Sequence, residues 1–270
     1  ELYKNSKQWV PPIINQEINS FNPELNPNIK NSDVTMFIAY KNNIICGRIA
    51  VLINWHEVKI QKINKVRFGW FDFIDDLGVS KQLLDKVYEI GNINNLSFME
   101  GPMGFSNLDK VGVLTSGFDV IGTMITTYNY EYYKKHYEKH GLKIEKTFHE
   151  KTFMFKDINT DYYAKMSRIV KTRNNLREVN FYSTNKIMER ANEMFDLFNQ
   201  SYAKLSSFVK ISDEQKEYMK EKFLSFINPE YIKFVENSEN KIVGEIWKEW
   251  MKIDDPEIEK ILVSLILYYP

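Results

Sequence analysis

The chain has 270 residues, and its 36 basic side chains balance 36 acidic ones, so the formal charge is zero at pH 7. With 43% hydrophobic and 27% charged residues it is too apolar to be disordered, and its length allows one large domain or two modest ones. Charge balance argues against a general nucleic-acid binder, and a single cysteine, Cys46, excludes a disulfide framework or a cysteine-cluster zinc site.

The longest apolar stretch, Ile261 to Tyr269, is interrupted by Ser264 and is much shorter than the roughly 20 residues of a membrane span. No basic and then apolar leader pattern follows Glu1. The expectation is therefore a reduced, cytoplasmic protein without an integral membrane segment.

In chain order, Met36 to Tyr40 reads as a strand, Lys41-Asn42-Asn43 as a turn, and Ile44 to Ile53 as a second strand containing Gly47. Arg67 to Ile74 is an aromatic-rich buried strand. The period then becomes helical after Gly78, with Leu83, Leu84, Val87 and Ile90 on one face, and Gly91 and Asn94-Asn95 as the stop. Leu96 to Met99 is a short strand leading into Gly101-Pro102, followed by an irregular glycine-rich stretch from Gly104 to Gly122. Tyr130 to His140 reads as a helix closed by Gly141, and Lys143 to Phe155 as one bent strand or a strand pair.

The pattern then restarts. Ile187, Ala191, Met194, Phe195, Phe198 and Tyr202 define a long amphipathic helix, and Ser212 with Gln215 is a capping box opening another. Tyr231 to Val235 and Lys241 to Ile246 form a second hairpin around Glu236 to Asn240. The remaining residues, through Pro270, read as one helix with Pro256 in its first turn.

The two hairpins, FIAYKNNIICGRIA and IKFVENSENKIVGEIW, share a strand, an Asn-rich turn and a glycine on the return strand. Each follows an Asn-Pro pair in a helix-exit position, Asn26-Pro27 and Asn228-Pro229. Their glycines lie too far apart for a solenoid repeat of about 20–50 residues. The expected architecture is an α/β fold, a mixed sheet flanked by helices, in two copies of one domain type. These copies span residues 1–157 and, as a partial copy, 158–270.

Asn129 at a strand end, then a helix finishing Tyr137-Glu138-Lys139-His140-Gly141-Leu142, resembles the corresponding stretch of the GNAT (Gcn5-related N-acetyltransferase) superfamily. The runs Gly47-Arg48-Ile49-Ala50, Gly101-Pro102-Met103-Gly104-Phe105-Ser106-Asn107, Gly117-Phe118-Asp119 and Tyr128-Asn129 are similar to a bacterial family of tandem GNAT-like proteins. Some members of that family are described as ceramide-synthase-like N-acyltransferases. The resemblance covers most of Leu2 to Phe155, and it implies acyl transfer from acyl-CoA to an amine, here a lipidic, sphingoid-like amine. CoA or acyl-CoA is the implied co-substrate, with no metal.

On this resemblance Tyr137 is the candidate acid for the departing thiolate, because a phenol of pKa about 10 keeps its proton at neutral pH. Packing of the Tyr130, Tyr133, Tyr137 face on a sheet is the other reading of the same spacing. Glu100, at the carboxyl end of a short strand, and Asp72 are rival bases, and surface solvation accounts for either carboxylate equally. The glycine-rich region supplies candidate substrate contacts: Gly101, Gly104, Phe105, Ser106, Asn107, Asp109, Phe118 and Asn129. His136 and His140 at i, i+4 could chelate a metal, but no third ligand is in sight, and a solvated helix face is the preferred reading. Cys46, inside a strand, reads as inert core.

Where the family carries bare backbone amides for the CoA pyrophosphate, this chain has Asp75-Asp76-Leu77-Gly78-Val79-Ser80. Like charge there should repel phosphate. That loop, and the short second copy, leave a catalytically silent GNAT-like binding or assembly module as the alternative function.

Overall fold

The computed structural model describes residues 2–106, 109–123, 126–150, 159–204, 208–224, 228–252 and 259–267. It has two compact units, Glu1–Thr147 and Phe148–Pro270. The expected boundary at 157 lies outside the described residues. Each unit is α/β, with one four-stranded sheet and packed helices.

In the first unit a short helix α1 (Ile14–Ser20) precedes strands β1 (Ser32–Lys41) and β2 (Ile44–Asn54). Their two-residue turn has Asn42 and Asn43 at φ 52° and 63°. Both central residues of such a turn need positive φ to match the strand twist, and Asn tolerates it. Helix α2 (Trp55–Lys59) follows, capped by the Asn54 side chain, and then β3 (Lys65–Phe73). Helix α3 (Leu77–Ile93), β4 (Phe98–Glu100) and helix α4 (Tyr132–Lys139) complete the unit. The sheet order is β1-β2-β3-β4, antiparallel except for the parallel β3–β4 pair joined through α3.

Strand β2 is buried on both faces and its period of two divides the core. Ile49, Val51 and Ile53 join Leu83, Leu84 and Val87 of α3 and Tyr133 of α4 on one face. Ala50 and Leu52 join Phe105, Phe21 and Trp70 on the other. Helix α3 stops at Asn94-Asn95 as expected, with Asn94 as its C-cap and Asn95 at φ 55°, but Gly91 is not part of that stop. It lies buried within the last turns, where a Cβ would approach Val66, and the helix runs on to Ile93.

In the second unit helix α5 (Thr160–Arg173) leads to β5 (Arg177–Asn180), and neither was anticipated. Helix α6 (Thr184–Tyr202) buries the predicted Ile187, Ala191, Met194 and Phe195. Helix α7 (Asp213–Met219) opens with the expected reciprocal Ser212–Gln215 box and continues into a wider turn at Lys220–Leu224. Strands β6 (Ile232–Glu236), β7 (Ile242–Lys252) and β8 (Glu259–Leu267) then form an antiparallel sheet in the order β5-β6-β7-β8.

Three expectations are corrected. The chain's last part is a strand pair rather than one helix, because β8 pairs with β7 from Gly244↔Leu267 to Lys252↔Glu259. Periodicity cannot tell a short apolar run in a buried strand from one in a buried helix. Residues 143–150 form no strand. Ile144 and Phe148 are exposed there, and 151–155 lie outside the described residues. The Asn-Pro pairs begin 3-10 turns instead of leaving helices. The side chains of Asn26 and Asn228 accept from the backbone N–H of Asn28 and Glu230, and proline's missing donor costs nothing at a first helical position.

The hairpins match in finer detail. Ala39 pairs with Gly47 and Val235 with Gly244, and in both the register slips at the very next residue.

Candidate functional site

Strand β3 is bulged where it pairs with β2. Arg48 and Ala50 of β2 pair with Asp72 and Gly69, so β3 holds one extra residue there. Trp70, within that bulge, has φ 46°, a conformation a bulky side chain rarely adopts. Its indole N–H donates to the Glu17 carboxylate of α1, and its ring packs against Phe21 and Phe105 at 4.6 and 5.9 Å. These contacts over-determine the strained residue, as at many ligand sites.

Tyr137 lies over this bulge. Its ring centre is 6.4 Å from that of Phe68 and 5.8 Å from that of Phe71. The hydroxyl is buried and has no hydrogen-bond partner among the described residues. Burial holds its pKa well above the ordinary phenol value, with nearby Tyr133 and Asp72 pushing the same way. Two further phenols form a chain beside it. Phe73 N–H donates to the Tyr133 hydroxyl (3.2 Å), which shares a 2.6 Å hydrogen bond with the Tyr3 hydroxyl, and Tyr3 donates to Asp72 Oδ1 (2.9 Å). Burial raises the pKa of Tyr3 and Tyr133 as well. Arg48 donates from Nε (2.8 Å) and lies 2.7 Å away through Nη2 at the other Asp72 oxygen.

Glu100 is neither a solvated nor an isolated carboxylate. Its Oε2 lies 2.5 Å from the ammonium of Lys65, which also lies 3.1 Å from Glu57. Arg67 grips both Glu57 oxygens (2.7 and 2.5 Å) and donates to Gly104 O at 3.2 Å. Glu57, Lys65 and Arg67 are fully buried. The sequence reading missed this ionic cluster, since residues 57, 65, 67 and 100 meet only because β4 pairs with β3 and α2 turns Glu57 inward.

The glycine-rich segment is largely tied down. Met103 N–H donates to Phe68 O (2.8 Å), extending the strand edge beside β3. A Cβ at Gly69 would overlap the Met103 carbonyl and one at Gly101 the Phe68 carbonyl, so both glycines serve this close backbone approach. Asp109 Oδ2 accepts from Ser106 N–H (2.8 Å) and from Ser106 Oγ (3.4 Å), closing a turn against Gly104. Phe105 is core. The buried Asn129 amide is engaged by Leu114 N–H (2.7 Å) and the carbonyls of Leu114 and Tyr130. Phe118 is half-buried in a turn, and Asn107 lies outside the described residues. Of the predicted residues, Tyr137 and Asp72 therefore flank the bulge, while Glu100, Phe105, Asp109 and Asn129 hold structure.

The N-terminus of α3 is already occupied by the chain itself. Asp76 Oδ1 accepts from the amides of Gly78 (2.8 Å) and Val79 (3.3 Å), and Lys41 lies 2.6 Å from Oδ2. Lys41 first, then the two amides, hold the Asp76 carboxyl below its usual range. These donors are the ones a pyrophosphate would use, so the loop does not fit the CoA pyrophosphate in the family's manner.

His136 and His140 are not a solvated pair. His136 is buried, and its Nδ1 and the Nε2 of His140 each lie 2.8 Å from Ser80 Oγ. His136 Nε2 lies 2.9 Å from Asp75 Oδ1. A tautomer with His136 donating to Asp75, Ser80 donating to His136, and His140 donating to Ser80 satisfies every member. Burial, then the charges of His136 and Lys81, lower the His140 pKa from its ordinary 6.5 against the opposing pull of Asp85. A depressed folded-state pKa means that His140 contributes stability above about pH 6.5 that is lost as the pH falls. Melting temperature should therefore drop between pH 7.5 and 5.5, and less in His140→Gln. An identical slope in that variant would remove His140 as the cause.

No protein-family model matches this chain, and no curated protein matches it.

Proposed function

We propose that the Glu1–Thr147 unit is a GNAT-like acyltransferase centre that moves an acyl group from a CoA-type thioester to an amine, a lipidic amine being the favoured acceptor. The carrying observation is the unpaired, buried Tyr137 hydroxyl above the β3 bulge. A buried polar group without a partner is costly, so one kept beside distorted backbone suits a partner supplied by a substrate. The element order of the unit, three antiparallel strands, a helix, a parallel strand and a helix, agrees with the resemblance carried by Asn129 and Tyr137 to Gly141. The matching bulges and Asn-Pro turns of the two hairpins support two copies of one domain type.

In this reading the amine nitrogen attacks the thioester carbonyl, the C–S bond breaks, and sulfur leaves as thiolate. Tyr137 hydrogen-bonds to the sulfur as charge builds. Its raised pKa makes complete proton transfer to a thiolate of pKa about 8.5 unfavourable, so it acts as a donor that keeps its proton. The amine's proton goes to Asp72 rather than Glu100. Glu100 holds the buried Lys65, whereas Asp72 is paired with Arg48, whose side chain is 51% exposed.

The Asp76 carboxylate on the α3 amides favours the second reading, a catalytically silent module, because it fills the family's phosphate position. Thermal denaturation with CoA separates the two. At 100 times its dissociation constant a bound ligand adds about 2.7 kcal/mol, and a silent module gains nothing. Amine-dependent thiol release from acyl-CoA is the expected companion result. Absence of both would overturn the enzyme reading.

A further inference from the structure

Helix α5 is amphipathic, yet no residue of its apolar stripe is buried by the described residues. Tyr162, Met166, Ile169 and Val170, with Tyr163 at the margin, recur at the i, i+4, i+7, i+8 spacing that usually marks a core-facing helix. Each is 38 to 62% exposed, and no residue of α5 is buried. The rest of the surface carries Lys165, Arg168 and Lys171, with Arg173 in the last turn, against one acid, Asp161. Lys171 pairs with Glu178 at 2.9 Å, whereas Lys165, Arg168 and Arg173 have no carboxylate partner among the described residues.

We propose that α5 is a membrane-surface helix that lies on anionic lipid. The apolar stripe would enter the headgroup–acyl boundary and the unpaired cations would meet lipid phosphates. Three features select this occupant. An apolar arc with two tyrosines suits the interface, where an aromatic ring is buried and its hydroxyl stays wet. Uncompensated cations beside that arc complement a negatively charged bilayer and would be idle against a neutral protein core. The whole chain is neutral, so this local excess of positive charge is not part of a general basic surface. No helix among the described residues is long and apolar enough to cross a membrane, so α5 lies on the surface and does not span it. The inference stands apart from the acyl-transfer reading, although a lipidic amine would be met at such a surface.

The test is co-sedimentation of the full chain with vesicles of phosphatidylcholine alone or with 30% phosphatidylglycerol. Binding to the anionic vesicles should be at least tenfold tighter and should weaken with salt. Each basic residue at the surface contributes about fivefold, so Lys165→Glu with Arg168→Glu should weaken binding roughly 30-fold or more. Met166→Glu with Ile169→Glu should abolish it. These side chains are solvent-facing, so circular dichroism and melting temperature should not change. No binding by the unaltered chain, or equal binding by all variants, would overturn the proposal. So would a dimer that dissociates in Met166→Glu/Ile169→Glu without vesicle binding, since the stripe would then be covered by a second copy. Loss of acyl transfer with intact vesicle binding would instead count only against the catalytic reading.

Discussion

Glu57→Ala should destabilise the first unit by about 3–5 kcal/mol, the range for removing one partner of a buried ion pair. Arg67 would lose both hydrogen bonds to the carboxylate, and Lys65 one of its two anions, while both cations remain in the core. At about 2–4 °C per kcal/mol for a domain of this size, the melting temperature should fall by roughly 10 °C. Urea denaturation followed by far-ultraviolet circular dichroism reads it directly. A loss below about 1 kcal/mol would mean that the cluster is solvated or rearranges, as exposed pairs such as Lys81–Asp85 are worth only about 0.3–0.5 kcal/mol. The Arg67 bond to Gly104 O also ties this cluster to the loop beside the bulge, so a destabilised variant should lose the proposed acyl transfer too.

Tyr137→Phe should have the opposite signature. The ring that packs on Phe68 and Phe71 is kept, and the hydroxyl that is removed has no hydrogen-bond partner among the described residues. Relieving a buried unsatisfied group is worth up to about 1–3 kcal/mol, so the melting temperature should hold or rise. Acyl transfer, measured as thiol release, should fall by about 100-fold or more if the hydroxyl stabilises the departing sulfur. A destabilised but fully active Tyr137→Phe would return the residue to the core. Tyr133→Phe is a useful contrast, because its hydroxyl already bonds to Phe73 N–H and Tyr3.

Local rules read much of the chain correctly wherever a short segment determines its own structure. Asn42-Asn43 specifies a hairpin turn because few residues tolerate two positive φ values in succession. Ser212 and Gln215 specify a helix start because their reciprocal bonds lie within four residues. The apolar faces of α3 and α6 are visible because a period near 3.6 can be counted.

What only the tertiary structure decided is which groups those elements bring together. Nothing in the sequence links Glu57, Lys65, Arg67 and Glu100, and β3–β4 pairing makes them a buried cluster. His136 and His140 look like an exposed helical pair until α3 brings Ser80 between their rings. Glu259 to Leu267 is too short and too uniformly apolar for its period to choose between helix and strand, and β7 makes the choice by offering a ladder of backbone partners. The α5 stripe has the spacing of a core-facing helix, but whether such a stripe is covered depends on neighbours remote in sequence. Backbone propensity and side-chain period are properties of a segment, whereas burial and charge pairing belong to contacts between segments distant along the chain.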